Sequence, residues 1–293
     1  MTTIKLHSWH KKPYGVYAAG TVSYGEHEVP IQIRSASVDF LDESIPKIIG
    51  LHGLAASAES MAMPARVAAG MGYAAITLDY SNNKIIGAAL QHNSDDVLAT
   101  IEAMGAGEYR LLGHSMGAAI ATITAQRSGN NISRLDLVTP GAMTDGVLHT
   151  DPYTIARAFG YDLLDELHDT ICHPLLTARM AVGALASCHR RRGAILAEIY
   201  QLTRSTVQQQ LTDFRNEQTS AHISLTHGSH DKLIPREALL ESLAGWQNGA
   251  NQPLFDSEIA YEGHHTALMV NPMLSHRILR TTSTSQQQLK KSA

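Results

Sequence analysis

"RLLGHSMGAAIATITAQ" (110–126) runs from apolar residues into a serine between two glycines, and helix-forming residues follow at once. The segment reads as a buried strand, a tight turn and a helix. Glycine on both sides of Ser115 means that side chains there would collide with neighbouring backbone. A serine held in so sharp a corner projects from the end of the strand, and the first amides of the following helix point towards it.

The residues on either side repeat the same unit. "KIIGLHG" (47–53), "YAAITLDY" (73–80), "YRLLGHS" (109–115) and "RLDLVTPGA" (134–142) are short apolar runs rich in β-branched residues, and each is read as a buried strand. Between them, "AESMAMPARVAAGMG" (58–72) and "SDDVLATIEAMGAG" (94–107) have helical spacing and close on glycine; Ser94 is the expected N-cap of the second. An earlier stretch, "VYAAGTVSYGEHEVPIQIRSAS", alternates around Gly25 and predicts a hairpin. From about Met143 to Ser220 the pattern is helical without a convincing strand. Alternation then resumes with "HISLTHGSHD", "PREALLESLAGWQ", "SEIAYEGHH" and "TALMVNPMLSHRILRTT".

Strands alternating with helices give an α/β fold: a mostly parallel central sheet flanked by helices, with right-handed crossovers. The expected division is a core of 1–142 and 221–282, an inserted helical cap of 143–220 riding above one edge of the sheet, and a disordered tail, 283–293.

Composition narrows the function. The 293 residues are 44% hydrophobic and 17% charged, and the net charge of −4 gives no field suited to nucleic acid. No apolar run is long enough to span a bilayer. Cys172 and Cys188 are read as free thiols, and "MTTIKLHSWHKKPYG" has no core of signal-peptide length, so the expected compartment is the cytoplasm. No G-x-G-x-x-G, HExxH or tight Cys/His cluster occurs, so neither a cofactor nor a metal is expected.

Gly113-His114-Ser115-Met116-Gly117 fits G-x-S-x-G between strand and helix. With it, over roughly residues 15 to 280, the chain resembles the α/β-hydrolases. The resemblance implies a triad in the order nucleophile, acid, histidine. Ser115 is the nucleophile. Asp231 in "THGSHDKLIP" is the acid, with Asp145 in "TPGAMTDG" as its rival. His264 in "YEGHHTALMVNP" is the base, with His265 as its competitor. The backbone N–H groups of Leu54 and Met116 are implied as the oxyanion hole. His114 is read as a packed residue of the turn, and His52 as a residue holding the oxyanion loop. The sequence departs from many relatives after "ITLDY", where "SNNKIIG" replaces an R-G-x-G-x-S-like loop beside the pocket.

The expected activity is cleavage of a carboxylic ester with a small-to-medium apolar acyl group, through an acyl-enzyme. The apolar "PLLTARMAVGALAS" (174–187) is read either as lining for that acyl group or as packing of the cap. The same triad serves thioesterases, lactonases, carbon–carbon bond hydrolases, acyltransferases and perhydrolases, and a binding protein that keeps the fold without turnover is the reading from another class. The partner expected is a small acyl substrate; oligomeric state is left open.

Overall fold

The computed structural model describes residues 2–12, 15–80, 88–128, 132–143, 193–202, 206–218, 220–246 and 254–280. Asp145, both cysteines, "SNNKIIG", "PLLTARMAVGALAS" and the 283–293 tail lie outside them.

Nine strands form one sheet: β1 (Thr3–Lys12), β2 (Gly15–Tyr24), β3 (His27–Ser35), β4 (Lys47–Leu51), β5 (Ala74–Leu78), β6 (Tyr109–His114), β7 (Ile132–Val138), β8 (His222–Gly228) and β9 (Ser257–Tyr261). Their order is β1-β2-β3-β5-β4-β6-β7-β8-β9. The first three strands and the β3–β5 pair are antiparallel; every pair from β5 across to β9 is parallel. β4, β5 and β6 are buried at every position, as strands covered on both faces must be.

The helices are α1 (Ala62–Gly70), α2 (Ala89–Met104), α3 (Met116–Ser128), α4 (193–202), α5 (Gln208–Glu217), α6 (Arg236–Leu243), α7 (Ala267–Val270) and α8 (Pro272–Arg280). On one face α2, α3 and α5 close the larger core, with Ile49, Leu51, Leu111, Leu135, Leu211 and Phe214 among its members. On the other, α1, α7 and α8 close a second core around Ile48, Leu112, Val138, Leu268 and Ile278. α3 is buried from Met116 through Ala125. Its run of Ala, Gly, Ile and Thr has no polar face because helices and sheet surround it.

Three expectations change. β1 was not anticipated: it is an edge strand whose polar residues face solvent, and only Ile4 packs against the core. Ser94 lies inside α2, not at its cap, where its buried hydroxyl accepts hydrogen bonds from Thr124 Oγ1 (3.1 Å) and Arg127 Nη1 (3.2 Å). Finally, the C-terminal part of the expected cap packs as core. α5 places Leu211 and Phe214 in the larger core, and α4 is tied to α2 by Asn93 Nδ2 donating to Glu198 Oε1 (3.0 Å) and Leu90 N–H to Gln201 Oε1 (2.7 Å). Helical periodicity alone does not tell a cap helix from a core helix.

Candidate active site

The parallel strands β4, β6, β7 and β8 end on the same side of the sheet, where ligands of open α/β sheets gather. Backbone strain collects there too. Among the described residues, the non-glycine residues with positive φ are Ala55 (58°), Ser115 (55°), Thr139 (42°) and Ala142 (60°), all shortly after β4, β6 or β7. L-residues adopt this region at a cost, and only where the surroundings enforce it.

At Ser115 the enforcement is visible. Its N–H donates to Val138 O at 3.0 Å, and its carbonyl accepts from Ala118 N–H and Gly141 N–H, each at 3.0 Å. A Cβ on Gly113 would lie 2.5 Å from the Ala118 Cα and the Gly117 oxygen, and one on Gly117 would lie 2.2 Å from Leu51 O. Neither position admits a side chain, which is the steric demand expected from the sequence. Ser115 itself is 8% exposed.

The β4 loop approaches from the other side. A Cβ on Gly53 would lie 3.0 Å from Ser115 Cβ and 3.3 Å from His114 Nδ1. Gly53 O accepts from Ala56 N–H (3.3 Å), closing a turn over Leu54 and the left-handed Ala55. The same carbonyl accepts from His52 Nδ1 at 2.8 Å, and Tyr80 Oη donates to His52 O at 3.1 Å. His52 therefore does hold this loop. Among the described residues, neither Leu54 N–H nor Met116 N–H donates to a backbone carbonyl.

Asp231 sits in the loop after β8 and is 5% exposed. Its Oδ1 accepts from Leu233 N–H (2.9 Å) and Ile234 N–H (2.7 Å), leaving Oδ2 to bond an imidazole. That imidazole belongs to His265, through Nδ1 at 2.8 Å, and not to His264 as the sequence reading favoured. The reason lies in the loop after β9. Gly263 (φ +158°) lets its carbonyl accept from His230 N–H at 3.0 Å, and His264 O accepts from Tyr261 Oη at 2.9 Å. These bonds turn the His264 ring towards His230, 5.7 Å between centroids, and the next residue towards the carboxylate. Of the two adjacent histidines, His265 is the one whose ring bonds the carboxylate, while the His264 ring lies by His230.

With Nδ1–H donating to the carboxylate, the neutral His265 ring carries its lone pair on Nε2, the tautomer a proton acceptor needs. His114, the residue before Ser115, donates from Nε2 to His265 O at 2.6 Å, and the two rings lie 4.9 Å apart. Burial, with the neighbouring His265 second, lowers the His114 pKa to about 3, so its ring is neutral. Among the described residues there is no group of three or more His, Cys, Asp or Glu side chains placed to hold a metal ion, and no helix long and apolar enough to cross a membrane.

No family model matches the chain, and no curated protein matches it in sequence. Solved structures do match in fold. A bromoperoxidase from Bacillus anthracis superposes with a TM-score of 0.65 at 13% identity, covering 89% of this chain and 98% of that one. An enol-lactonase from Burkholderia xenovorans gives 0.63 at 12% identity, covering 86% and 95%. An esterase from Exiguobacterium antarcticum gives 0.59 at 16% identity, covering 89% and 94%. With its mostly parallel sheet, its flanking helices and these structural neighbours, the chain has the α/β-hydrolase fold.

Proposed function

We propose that this protein is a serine hydrolase that cleaves a carboxylic ester of a small-to-medium apolar acyl group, with Ser115 as nucleophile, His265 as general base and Asp231 as the acid that orients it. One observation carries the reading: Ser115 stands at positive φ at the end of β6, and the His114 ring next to it lies 4.9 Å from the ring of His265, which is buried and hydrogen-bonded to Asp231. Structural neighbours that include an esterase, a thioesterase domain and an enol-lactonase agree with hydrolysis and leave the substrate open.

The chemistry runs as follows. His265 Nε2 takes the Ser115 hydroxyl proton as the oxygen attacks the acyl carbon. Asp231 holds the imidazole tautomer and stabilises the imidazolium that forms. The N–H groups of Leu54 and Met116 bind the oxyanion, each donor contributing about 3 kcal/mol. The imidazolium then protonates the leaving alcohol, and a water activated by the same ring releases the acid.

The test is hydrolysis of p-nitrophenyl esters from acetate to decanoate by wild type and Ser115→Ala. Serine-dependent turnover is expected, with the chain-length optimum sizing the acyl pocket. Folded protein that turns over no ester, thioester or lactone would instead support the binding-protein reading.

A further inference from the structure

His114 is buried, neutral and unused by the reaction just described, yet its one N–H is committed to a single acceptor, the carbonyl of His265, 151 residues away in sequence. That bond differs from the others holding the β9–α7 loop. Tyr261 O accepts from Ser229 N–H (2.9 Å) and Gly263 O from His230 N–H (3.0 Å), which tie the loop to the Asp231 loop. His264 O accepts from Tyr261 Oη, a bond within the loop's own strand. The Asp231–His265 pair is itself part of that assembly. Acid and base are thus fixed to one another by several bonds. The bond from His114 Nε2 joins this assembly to β6, directly beside the nucleophile. His114 Nδ1 is buried without a hydrogen-bond partner among the described residues and lies against Gly53, so the ring is clamped between the β4 loop and the His265 backbone.

We propose that His114 is a positioning residue for the general base: its Nε2–H bond to His265 O registers the Asp231–His265 pair against Ser115. This rests on the assignment of Ser115 and His265 as nucleophile and base. The residue preceding the nucleophile then has a purpose that packing alone does not give it. Losing the bond leaves acid and base paired but displaced from the serine, and a misplacement of about 1 Å costs on the order of 10²-fold in rate.

The experiment compares His114→Gln, whose amide nitrogen reaches as far as imidazole Nε2, with His114→Met, of similar length but no donor, and His114→Asn, whose amide stops short. Two quantities are read on each full-length protein: the second-order rate of fluorophosphonate labelling at Ser115, and the downfield proton resonance of His265 Nδ1. The expected result is labelling about 10²-fold slower in the Met and Asn variants, with the downfield proton retained, and recovery to within about tenfold of wild type in the Gln variant. A residue that only packs the turn would lose the resonance along with the rate, and Gln would not rescue it. If His114→Met does not fold, the Asn–Gln comparison decides. Met and Asn variants that label at the wild-type rate overturn the positioning role alone. Wild type that is not labelled at Ser115, or labelled independently of His265, overturns the underlying assignment and this inference with it.

Discussion

The two ends of the parallel strands are built on opposite terms. At the carboxyl ends, Ala55, Ser115, Thr139 and Ala142 hold positive φ, and the buried histidines His52, His114, His227, His264 and His265 sit at strand ends or in the loops just after them. The hydroxyls of Thr139 and Thr266 are buried without a hydrogen-bond partner among the described residues. Towards the other end, Arg110 and Arg134, near the starts of β6 and β7, reach Asp136, fully buried farther along β7, which also accepts from Ser224 Oγ at 2.6 Å. Arg110 spends its remaining donors on Leu279 O (3.0 Å) and Ile278 O (2.9 Å), and Arg134 adds a bond to Ile278 O (3.2 Å). Those are the last carbonyls of α8, which the helix itself leaves unsatisfied. One end holds backbone strain around the turn at Ser115. The other pairs its buried charges and ties α8 to the sheet. On the proposed function, reactivity and stability are separated along the same strands.

Substitutions should respect that separation. The largest effect belongs to Ser115→Ala, which should lower kcat by 10⁴-fold or more, as loss of a serine nucleophile does elsewhere, while thermal unfolding stays near wild type. Next, His265→Gln should lower kcat about 10³- to 10⁵-fold, and His264→Gln less than about tenfold, because only the first removes the proton acceptor. Steady-state kinetics on one ester distinguishes the two rings.

At the opposite end the effect should appear in stability. Asp136→Asn leaves two buried guanidinium groups without their counter-charge and should cost about 3–5 kcal/mol in urea unfolding, while kcat of the remaining folded protein holds within about twofold. Although burial alone would raise it, Arg110 and then Arg134 hold the Asp136 pKa below the usual carboxylate range. The stability this contributes is present above pH about 4 and is lost as pH falls through the depressed folded value.

The smallest effect is a slope. His114 has a folded pKa of about 3 against an ordinary 6.5, so its contribution to stability is complete above pH 6.5 and is lost as pH falls towards 3. Between pH 6.5 and 4.5, wild type should therefore lose about 1.2 kcal/mol per pH unit more than His114→Gln. Equal slopes would show that the ring is not held neutral.

The scaffold was legible because its signals are local. Short β-branched runs, glycines closing helices and the G-x-S-x-G turn each act within a few residues, and the steric demands at Gly113 and Gly117 follow from the turn itself. β1 was missed because an edge strand with a solvated face carries little apolar periodicity. α5 was assigned to the cap because its amphipathic spacing says that it packs, not on what. Choosing between His264 and His265 required the backbone bonds of Gly263 and His264 to partners on β9 and in the loops after β8 and β9, a three-dimensional fact that no local pattern encodes. His114 looked inert for the same reason: its partner lies 151 residues downstream.

The central claim is that Ser115 is activated by His265 oriented on Asp231, and a fluorophosphonate adduct mapped by peptide mass spectrometry tests it most directly. Wild type and His264→Gln should carry the adduct on Ser115, and Ser115→Ala and His265→Gln should carry none on the same timescale. No adduct on wild type, or labelling that survives His265→Gln and is lost in His264→Gln, would contradict it.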